Sequence, residues 1–161
     1  MTEEILFETA SDLVSLLKQK KLKIATAESC TGGMVSEYIT SVSGASEVFE
    51  LGVCAYSAKM KNEILWVDPT TLEKFGTISS ETASEMAVGV RTKGDADIGV
   101  AVTGVAGPNP SEGHPVGYVF IAVSTKEKTV AKLLNIKPIS REYVRKTAVA
   151  ELFKYIMEVI G

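Results

Sequence analysis

Histidine and cysteine are scarce in this sequence of 161 residues, and their scarcity excludes several kinds of catalytic site. The only histidine, His114, rules out a metal site built from several histidines, and a Ser-His-Asp triad would have to use it. The two cysteines, Cys30 and Cys54, lack the CxxC spacing of metal and redox motifs. Because two cysteines make no disulfide scaffold, we expect a reducing cytoplasm.

The sequence also lacks the patterns of phosphate-binding loops, membrane segments and nucleic-acid-binding surfaces. It contains neither GxxxxGK[ST] nor GxGxxG, and no apolar run approaches the length of a membrane span. The acidic N-terminus, MTEEILFETASDL, has no basic region of the kind that opens a signal peptide. The net charge of −3 and the pI near 5.3 argue against a nucleic-acid partner held by bulk electrostatics. We therefore expect a cytoplasmic protein with neither a nucleic-acid nor a membrane partner.

The sequence does contain a regular succession of helix and strand patterns. Strands are predicted over 22–27, 49–56, 96–102, 117–124 and 129–136, the second of them buried. Helices are predicted over 2–19, 31–40, 58–65, 81–92 and 141–160, with one more short helix that ends at Gly76. This order predicts a single domain, 1–161, with an α/β fold. We expect a three-layer α/β/α sandwich with a mixed, mostly parallel sheet and a C-terminal antiparallel hairpin.

The stretch from Ile24 to Gly33, IATAESCTGG, combines a short apolar strand, a polar turn and the start of a helix. Such a turn offers free backbone N–H groups and the positive end of a helix dipole, which suit an anion or an oxyanion. Three nucleophilic side chains lie in it, Ser29, Cys30 and Thr31. Ser29 is the best nucleophile candidate, although the local pattern alone favours a turn in which Ser29 or Thr31 only caps the helix.

A serine nucleophile needs a neighbouring base. With a single histidine, a lysine, a tyrosine or a carboxylate is the better candidate. Tyr56 ends the second predicted strand, and Lys59 and Lys61 lie on the helix after it, on nearly opposed faces, so only one of the two can face the site. Glu28, beside Ser29, could orient a lysine or a substrate group, or could be a surface acid near a helix N-terminus.

A second unusual stretch, Thr103–Val116, holds three glycines and three prolines in fourteen residues, so no regular element runs through it. It follows the C-terminal end of a predicted strand, where ligands bind in open α/β sheets. Its backbone could wrap a phosphate, or it could be a surface loop. Arg141 and Arg145 lie one helical turn apart and could clamp an anion or remain solvated.

Six motifs occur in one order and at one spacing: TAESCTGG at 26–33, GVCAYS at 52–57, GTIS at 76–79, AVTGVAGP at 101–108, PVG at 115–117 and SREYVR at 140–145. Together they resemble the CinA C-terminal domain family, the nicotinamide-nucleotide amidases, over about residues 4–152. Longer members carry an additional N-terminal domain, so the chain resembles the stand-alone form. The resemblance implies that the carboxamide of nicotinamide mononucleotide is hydrolysed to nicotinate mononucleotide and ammonia, without a metal or other cofactor.

The resemblance also assigns the site residues. The family's serine nucleophile matches Ser29, its tyrosine Tyr56 and its lysine Lys61. We expect Lys61, helped by Tyr56, to take the proton of Ser29, and Glu28 to help hold this proton network. Thr31 then becomes the expected helix cap. The pyridine nucleotide would be bound by residues of both loops and of the last helix: Thr31, Gly32, Gly33, Thr103, Gly104, Ala106, Gly107 and Arg141. Two alternatives remain, a non-catalytic nucleotide-binding module and an accessory protein of DNA uptake or repair. A homodimer is expected.

Overall fold

The computed structural model describes all residues, 1–161, and the elements follow the predicted order. The helices are α1 (Glu3–Lys20), α2 (Met34–Thr40), α3 (Ala58–Leu65), α4 (Pro69–Phe75), α5 (Ser80–Lys93) and α6 (Arg141–Ile160). The strands are β1 (Ile24–Glu28), β2 (Phe49–Cys54), β3 (Ile98–Gly104), β4 (Tyr118–Ser124) and β5 (Thr129–Asn135). A single 3-10 turn, Ala45–Glu47, precedes β2.

The five strands form one sheet in the order β2-β1-β3-β4-β5. β1 pairs in parallel with both β2 and β3, whereas β4 pairs antiparallel with β3 and β5. The mixed sheet and the C-terminal hairpin are therefore confirmed. Four strands run in one direction and only β4 is reversed, so most strands of the sheet are parallel to one another. Of the four pairings between neighbouring strands, two are parallel and two are antiparallel.

Helices cover both faces of the sheet, which confirms the three-layer sandwich. α1, α2 and α6 pack on a face of branched side chains that includes Ile24, Val100 and Ile121. α3 and α5 pack on the other face, where the strands present small residues such as Ala27 and Ala101. These small side chains let α5 approach the sheet closely, and at Gly99 of β3 no space is left for a Cβ beside the Ala87 carbonyl.

Two predicted boundaries are wrong for identifiable reasons. β2 was expected to be a buried strand over 49–56, but it ends at Cys54 and lies at an edge of the sheet, where exposed residues alternate with half-buried ones. The helix predicted from Thr31 begins only at Met34, because Gly32 and Gly33 adopt positive φ angles of 58° and 102°. The polar turn after β1 is therefore longer than the sequence indicated.

Local capping confirms the other helix starts near the site. The hydroxyl of Ser57 accepts the Met60 N–H at the start of α3, and that of Ser140 accepts the Tyr143 N–H at the start of α6. The C-terminal ends of β1, β2 and β3 lie at the same edge of the sheet because these strands are parallel. None of the helices combines the length and apolar character needed to cross a membrane.

Candidate active site

Ser29 lies directly after β1, at the edge where the parallel strands end. Its N–H donates to the Val102 carbonyl at 3.0 Å and so continues the pairing of β1 with β3. Its side chain is nearly buried, with 8% of the residue exposed, and it lines a cavity of about 240 Å³. The hydroxyl oxygen of Ser29 lies 2.9 Å from Nζ of Lys61. The most plausible nucleophile of the sequence and a lysine amine are thus in direct contact.

Lys61 reaches Ser29 because α3 follows the neighbouring strand. The Ala55 N–H donates to the Glu28 carbonyl, which fixes the end of β2 beside the start of the Ser29 turn. Nζ of Lys61 also donates to the carbonyl of Ala55 at 2.8 Å. Only 1% of Lys61 is exposed, and none of the ion pairs in the molecule includes it. Burial lowers the pKa of Lys61 from the ordinary lysine value to about 8.

Lys59 lies on the opposite side of the same helix. Its side chain is 74% exposed and pairs with Glu63 at 3.8 Å. The ambiguity between the two lysines of α3 is therefore resolved by the structure, because only Lys61 faces the cavity edge.

The other two nucleophilic side chains of the turn have different surroundings. Cys30 is buried, and burial raises the pKa of its thiol to about 12, so the thiol stays protonated at neutral pH. The Thr31 hydroxyl donates to the Glu28 carboxylate at 2.7 Å. Only Ser29 therefore combines access to the cavity with a neighbouring basic amine.

Glu28 is fully buried and serves the start of α2. Its two carboxylate oxygens accept five hydrogen bonds, from the Thr31 hydroxyl, the backbone N–H groups of Gly33, Val35 and Ser36, and the Ser36 hydroxyl. It makes no hydrogen bond with Ser29 or Lys61. The structure therefore contradicts both a surface position for Glu28 and a direct place in the proton network. The prediction that Thr31 caps α2 is wrong as well, since the capping carboxylate comes from β1 and Gly33 occupies the N-cap position.

The backbone donors of the turn also differ from expectation. The N–H of Gly32 donates to the Ser29 carbonyl at 3.0 Å, and the N–H of Gly33 donates to Glu28. Neither glycine offers a free donor to a substrate, and neither lines the cavity. The N–H groups without a protein partner are those of Cys30 and Thr31, which directly follow Ser29.

The second loop lines the same cavity as Ser29. The cavity is lined by Thr103, Gly104, Val105, Ala106 and Gly107. The hydroxyl proton of Thr103 is already committed, because it donates to the Thr77 carbonyl at 2.7 Å. Sequence reasoning missed four further lining residues, Thr77, Ile78, Asn109 and Ser111. The first two lie in the GTIS motif and the last two in the stretch Thr103–Val116, but neither pattern points to these individual side chains.

Arg141 and Tyr56 form the outer rim of the cavity. The guanidinium of Arg141 donates to the Gly107 carbonyl and, at 3.2 Å, to the Tyr56 hydroxyl. Tyr56 is 62% exposed, and its hydroxyl contacts neither Ser29 nor Lys61. The prediction that the Tyr56 phenol assists the base is therefore not supported by the geometry: the residue approaches Lys61 only through its backbone carbonyl, at 3.4 Å.

The remaining candidates lie near the cavity but do not line it. Arg145 contacts the carbonyls of Cys30 and Thr31 at 3.1 and 2.7 Å and does not form an anion clamp with Arg141. His114 stacks on Tyr118, with ring centroids 4.4 Å apart. Nowhere do three or more His, Cys, Asp or Glu side chains gather as possible metal ligands.

Comparison with known families places this site in context. The model of the CinA C-terminal domain matches residues 7–160, which is nearly the whole chain. The chain belongs to the CinA C-terminal domain family.

Relatives of this CinA-type domain are named as competence-damage inducible proteins. The protein of Limosilactobacillus fermentum is 44% identical over 143 residues, which cover 88% of the chain and 34% of that protein. The protein of Thermoanaerobacter pseudethanolicus is 47% identical over 125 residues, which cover 77% of the chain and 30% of that protein. The CinA domain described here thus spans about a third of the length of these curated relatives.

Solved CinA-superfamily structures share the whole fold. The competence/damage inducible protein CihA of Agrobacterium tumefaciens superposes with a TM-score of 0.93 at 31% identity, covering 98% of this chain and 96% of the other. A CinA-superfamily protein of Escherichia coli has a TM-score of 0.93 at 27% identity, covering 99% and 93%. The sheet order and the helical layers described above are therefore those of CinA proteins.

Proposed function

We propose that this chain hydrolyses the carboxamide of nicotinamide mononucleotide, giving nicotinate mononucleotide and ammonia, with Ser29 as nucleophile and Lys61 as base. The observation that carries the proposal is the 2.9 Å contact between Nζ of Lys61 and the hydroxyl of Ser29, in a buried site where the pKa of Lys61 is lowered to about 8. A lysine with an ordinary pKa would be protonated at neutral pH and could not accept a proton.

In the acylation step, neutral Lys61 takes the proton from the Ser29 hydroxyl as its oxygen attacks the amide carbon. The carbonyl oxygen becomes an oxyanion. The unpartnered N–H groups of Cys30 and Thr31 are its expected donors, since they follow the nucleophile as in other serine hydrolases. With a pKa of about 8, about a tenth of Lys61 is neutral at pH 7, which is enough to support the step.

In the second half of this step, the C–N bond breaks and the Lys61 ammonium returns its proton to the leaving nitrogen, so that ammonia departs. An ester between Ser29 and the nicotinate carboxyl remains. Water then gives a proton to Lys61 and attacks the ester carbon, and Lys61 returns that proton to Ser29. Lys61 is thus the only proton carrier in both the formation and the hydrolysis of the ester on Ser29.

In this proposal the same cavity holds the rest of the pyridine nucleotide. The amide would lie at Ser29, and the phosphate would lie toward the Arg141 guanidinium and the backbone of Ala106 and Gly107. The N–H groups of Ala106 and Gly107 have no protein partner, and Arg141 carries no ion pair. This end of the cavity therefore combines a positive charge with free donors, which favours an anion.

An ammonia-release assay tests the proposal directly. The panel consists of nicotinamide mononucleotide, nicotinamide riboside, nicotinamide, NAD and glutamine, and we expect turnover to be greatest with the mononucleotide. Ser29→Ala should reduce the rate by at least about a hundredfold, while Ser46→Ala, in the exposed turn before β2, leaves it unchanged.

Two outcomes would contradict the proposal. Full ammonia release by folded Ser29→Ala would exclude the serine mechanism. Binding of the mononucleotide without turnover in the unmodified chain would instead favour a non-catalytic nucleotide-binding module. The expected homodimer stays a prediction, which sedimentation of the chain alone would test.

A further inference from the structure

Arg145 is the one charged side chain that contacts the backbone directly after Ser29. It lies on α6, and its Nε donates to the Cys30 carbonyl at 3.1 Å while its Nη2 donates to the Thr31 carbonyl at 2.7 Å. The side chain is partly buried, and no ion pair includes it. Two consecutive carbonyls of the turn are thus held by one guanidinium from a distant part of the chain.

The contact has a direct effect on the backbone donors of the turn. In a trans peptide the C=O and the N–H point in opposite directions, so a group that holds the carbonyl of Cys30 also sets the direction of the Thr31 N–H. That N–H has no protein partner. The carbonyl of Thr31 shares its peptide with the Gly32 N–H, which closes the turn on the Ser29 carbonyl. Arg145 therefore holds two consecutive peptide groups, the one between Cys30 and Thr31 and the one between Thr31 and Gly32.

A lysine could not make the same contacts. The planar guanidinium offers donors in a fixed fork, and here two of them reach adjacent carbonyls. An ammonium on a flexible stem would contact one carbonyl at a time or sit between them with poorer geometry. The arrangement accordingly depends on the shape of the arginine side chain as well as on its charge.

We propose that Arg145 is a positioning residue for acyl transfer: by holding the Cys30 carbonyl it fixes the Thr31 N–H where the oxyanion forms, and by holding the Thr31 carbonyl it fixes the Gly32 N–H that closes the turn on the Ser29 carbonyl. The proposal rests on the proposed role of Ser29 as nucleophile. Because Arg145 does not line the cavity, it contributes to the reaction step and leaves substrate affinity unchanged.

Two measurements on Arg145→Lys separate this role from a purely structural one. For ammonia release from nicotinamide mononucleotide, we expect kcat to fall by about ten- to a hundredfold while KM changes by less than about twofold. For p-nitrophenyl acetate, a small ester that needs none of the nucleotide contacts, the burst of p-nitrophenolate that accompanies acetylation of Ser29 should slow by a similar factor. The pH midpoint of the reaction should stay where it is, since Lys61 is untouched. Arg145→Gln, which keeps only one neutral donor group, should lose more.

The matched control is Arg91→Lys. Arg91 is a partly buried arginine of α5 whose Nε donates to the Ser124 hydroxyl at 3.1 Å, far from the cavity. It undergoes the same chemical change, and we expect unaltered rates. All rates are compared per folded molecule, at a temperature where urea unfolding shows each variant to be native.

The outcomes distinguish the two proposals. An unchanged ester burst in Arg145→Lys, or a rise in KM with an unchanged kcat, would overturn the positioning role. If the unmodified chain is acetylated on Ser29 but releases no ammonia from the mononucleotide, the substrate assignment fails. In that case a slower burst in Arg145→Lys still supports the positioning role.

Discussion

At the scale of single residues, Lys61 is the side chain whose surroundings most alter its chemistry. It is one of the largest fully buried side chains of the molecule, although lysine is among the residues least often buried. Its amine contacts a serine and backbone carbonyls and no carboxylate. An ion pair would have stabilised the ammonium and raised the pKa of Lys61; without one, burial lowers this pKa far enough for part of the amine to be neutral at neutral pH.

The pH dependence of turnover should follow this amine. Because the neutral form of Lys61 is the base, kcat/KM should rise with pH through a midpoint of about 8 and then level off. Cys30 and Glu112 are the charged or titratable groups that act on Lys61, and both would raise its pKa if ionised. Lys61→Arg should reduce turnover by at least about a hundredfold at every pH, since an arginine stays protonated. Stopped-time ammonia assays from pH 6 to 10 measure both effects.

Lys59→Arg is the control for that measurement. Lys59 shares the helix and the residue type but is exposed, so its replacement should leave the pH profile unchanged. A profile that is flat between pH 6 and 9 in the unmodified chain would exclude Lys61 as the base.

The burial of Lys61 should also lower the stability of the folded state. The lowered pKa means that below pH 8 the folded state holds a buried ammonium that the unfolded state would hydrate, and the difference from the ordinary lysine pKa corresponds to about 3 kcal/mol. Between pH 8 and 10.5 the folded amine is neutral while the unfolded one is still charged, so stability rises with pH in that window. Lys61→Met removes the charge but also a hydrogen bond to a buried carbonyl, so we expect a net stabilisation of about 1–2 kcal/mol at pH 7.

Urea unfolding at several pH values checks this expectation. The advantage of Lys61→Met over the unmodified chain should shrink above pH 8, disappear about one pH unit higher and reverse by about pH 10.5, where the unmodified chain has lost the cost of the buried charge and keeps its hydrogen bond. A variant that is less stable than the unmodified chain at pH 7 would show that the amine stabilises the fold. Stabilisation joined to loss of turnover would show that the site is maintained at the expense of stability.

At the scale of secondary-structure elements, the start of α2 depends on a carboxylate from the preceding strand. Helix starts are usually satisfied by a Ser, Thr, Asp or Asn at the N-cap, and Ser57 and Ser140 do this at α3 and α6. At α2 the N-cap is Gly33, and the buried Glu28 carboxylate accepts the orphan N–H groups instead. The end of β1, the Ser29 turn and α2 are therefore joined as one unit.

Glu28→Gln should show how much the hydrogen bonds between the Glu28 carboxylate and the start of α2 contribute to the stability of the fold. The amide keeps one acceptor oxygen but turns an NH₂ group toward backbone N–H groups that also donate, so at least one buried donor loses its partner. We expect the free energy of unfolding to fall by about 2–4 kcal/mol, measured by urea unfolding. Glu37→Gln, on the exposed side of the same helix, should change it by less than about 0.5 kcal/mol. Equal effects of the two substitutions would contradict the capping role.

The elements were largely predictable from the sequence, and the reason is that their signals are local. Hydrophobic periodicity placed the helices and strands in order, and serine caps marked α3 and α6. The site was predictable only in part. Ser29 and Lys61 are 32 residues apart, and they meet only because β1 and β2 pair in parallel. The exposed position of Tyr56 and the contacts of Glu28 depend on tertiary packing, which no local pattern encodes.

At the scale of the whole molecule, the two faces of the sheet have different roles in the packing. The branched face supports α1, α2 and α6, and the small-residue face lets α5 lie close against β3. Gly99, near the start of β3, marks a close approach of α5, because a Cβ there would lie 2.1 Å from the Ala87 carbonyl of that helix. The functional groups lie at the opposite end of β3, so tight packing and the cavity are separated along the strand.

Gly99→Ala should therefore separate stability from activity. The added methyl would have to push α5 away from the sheet, and we expect this overpacking to reduce the free energy of unfolding by about 2–3 kcal/mol. Gly113→Ala is the comparison: nothing lies within 4 Å of its Cβ, so only its positive φ of 77° should matter, at about 1 kcal/mol. In Gly99→Ala, ammonia release per folded molecule should stay within about twofold of the unmodified chain, because β3 enters the cavity only at its C-terminal end. A larger loss of turnover in the folded variant would mean that movement of α5 is transmitted along β3 to Thr103 and Gly104, and the two ends of the strand would then act as one unit.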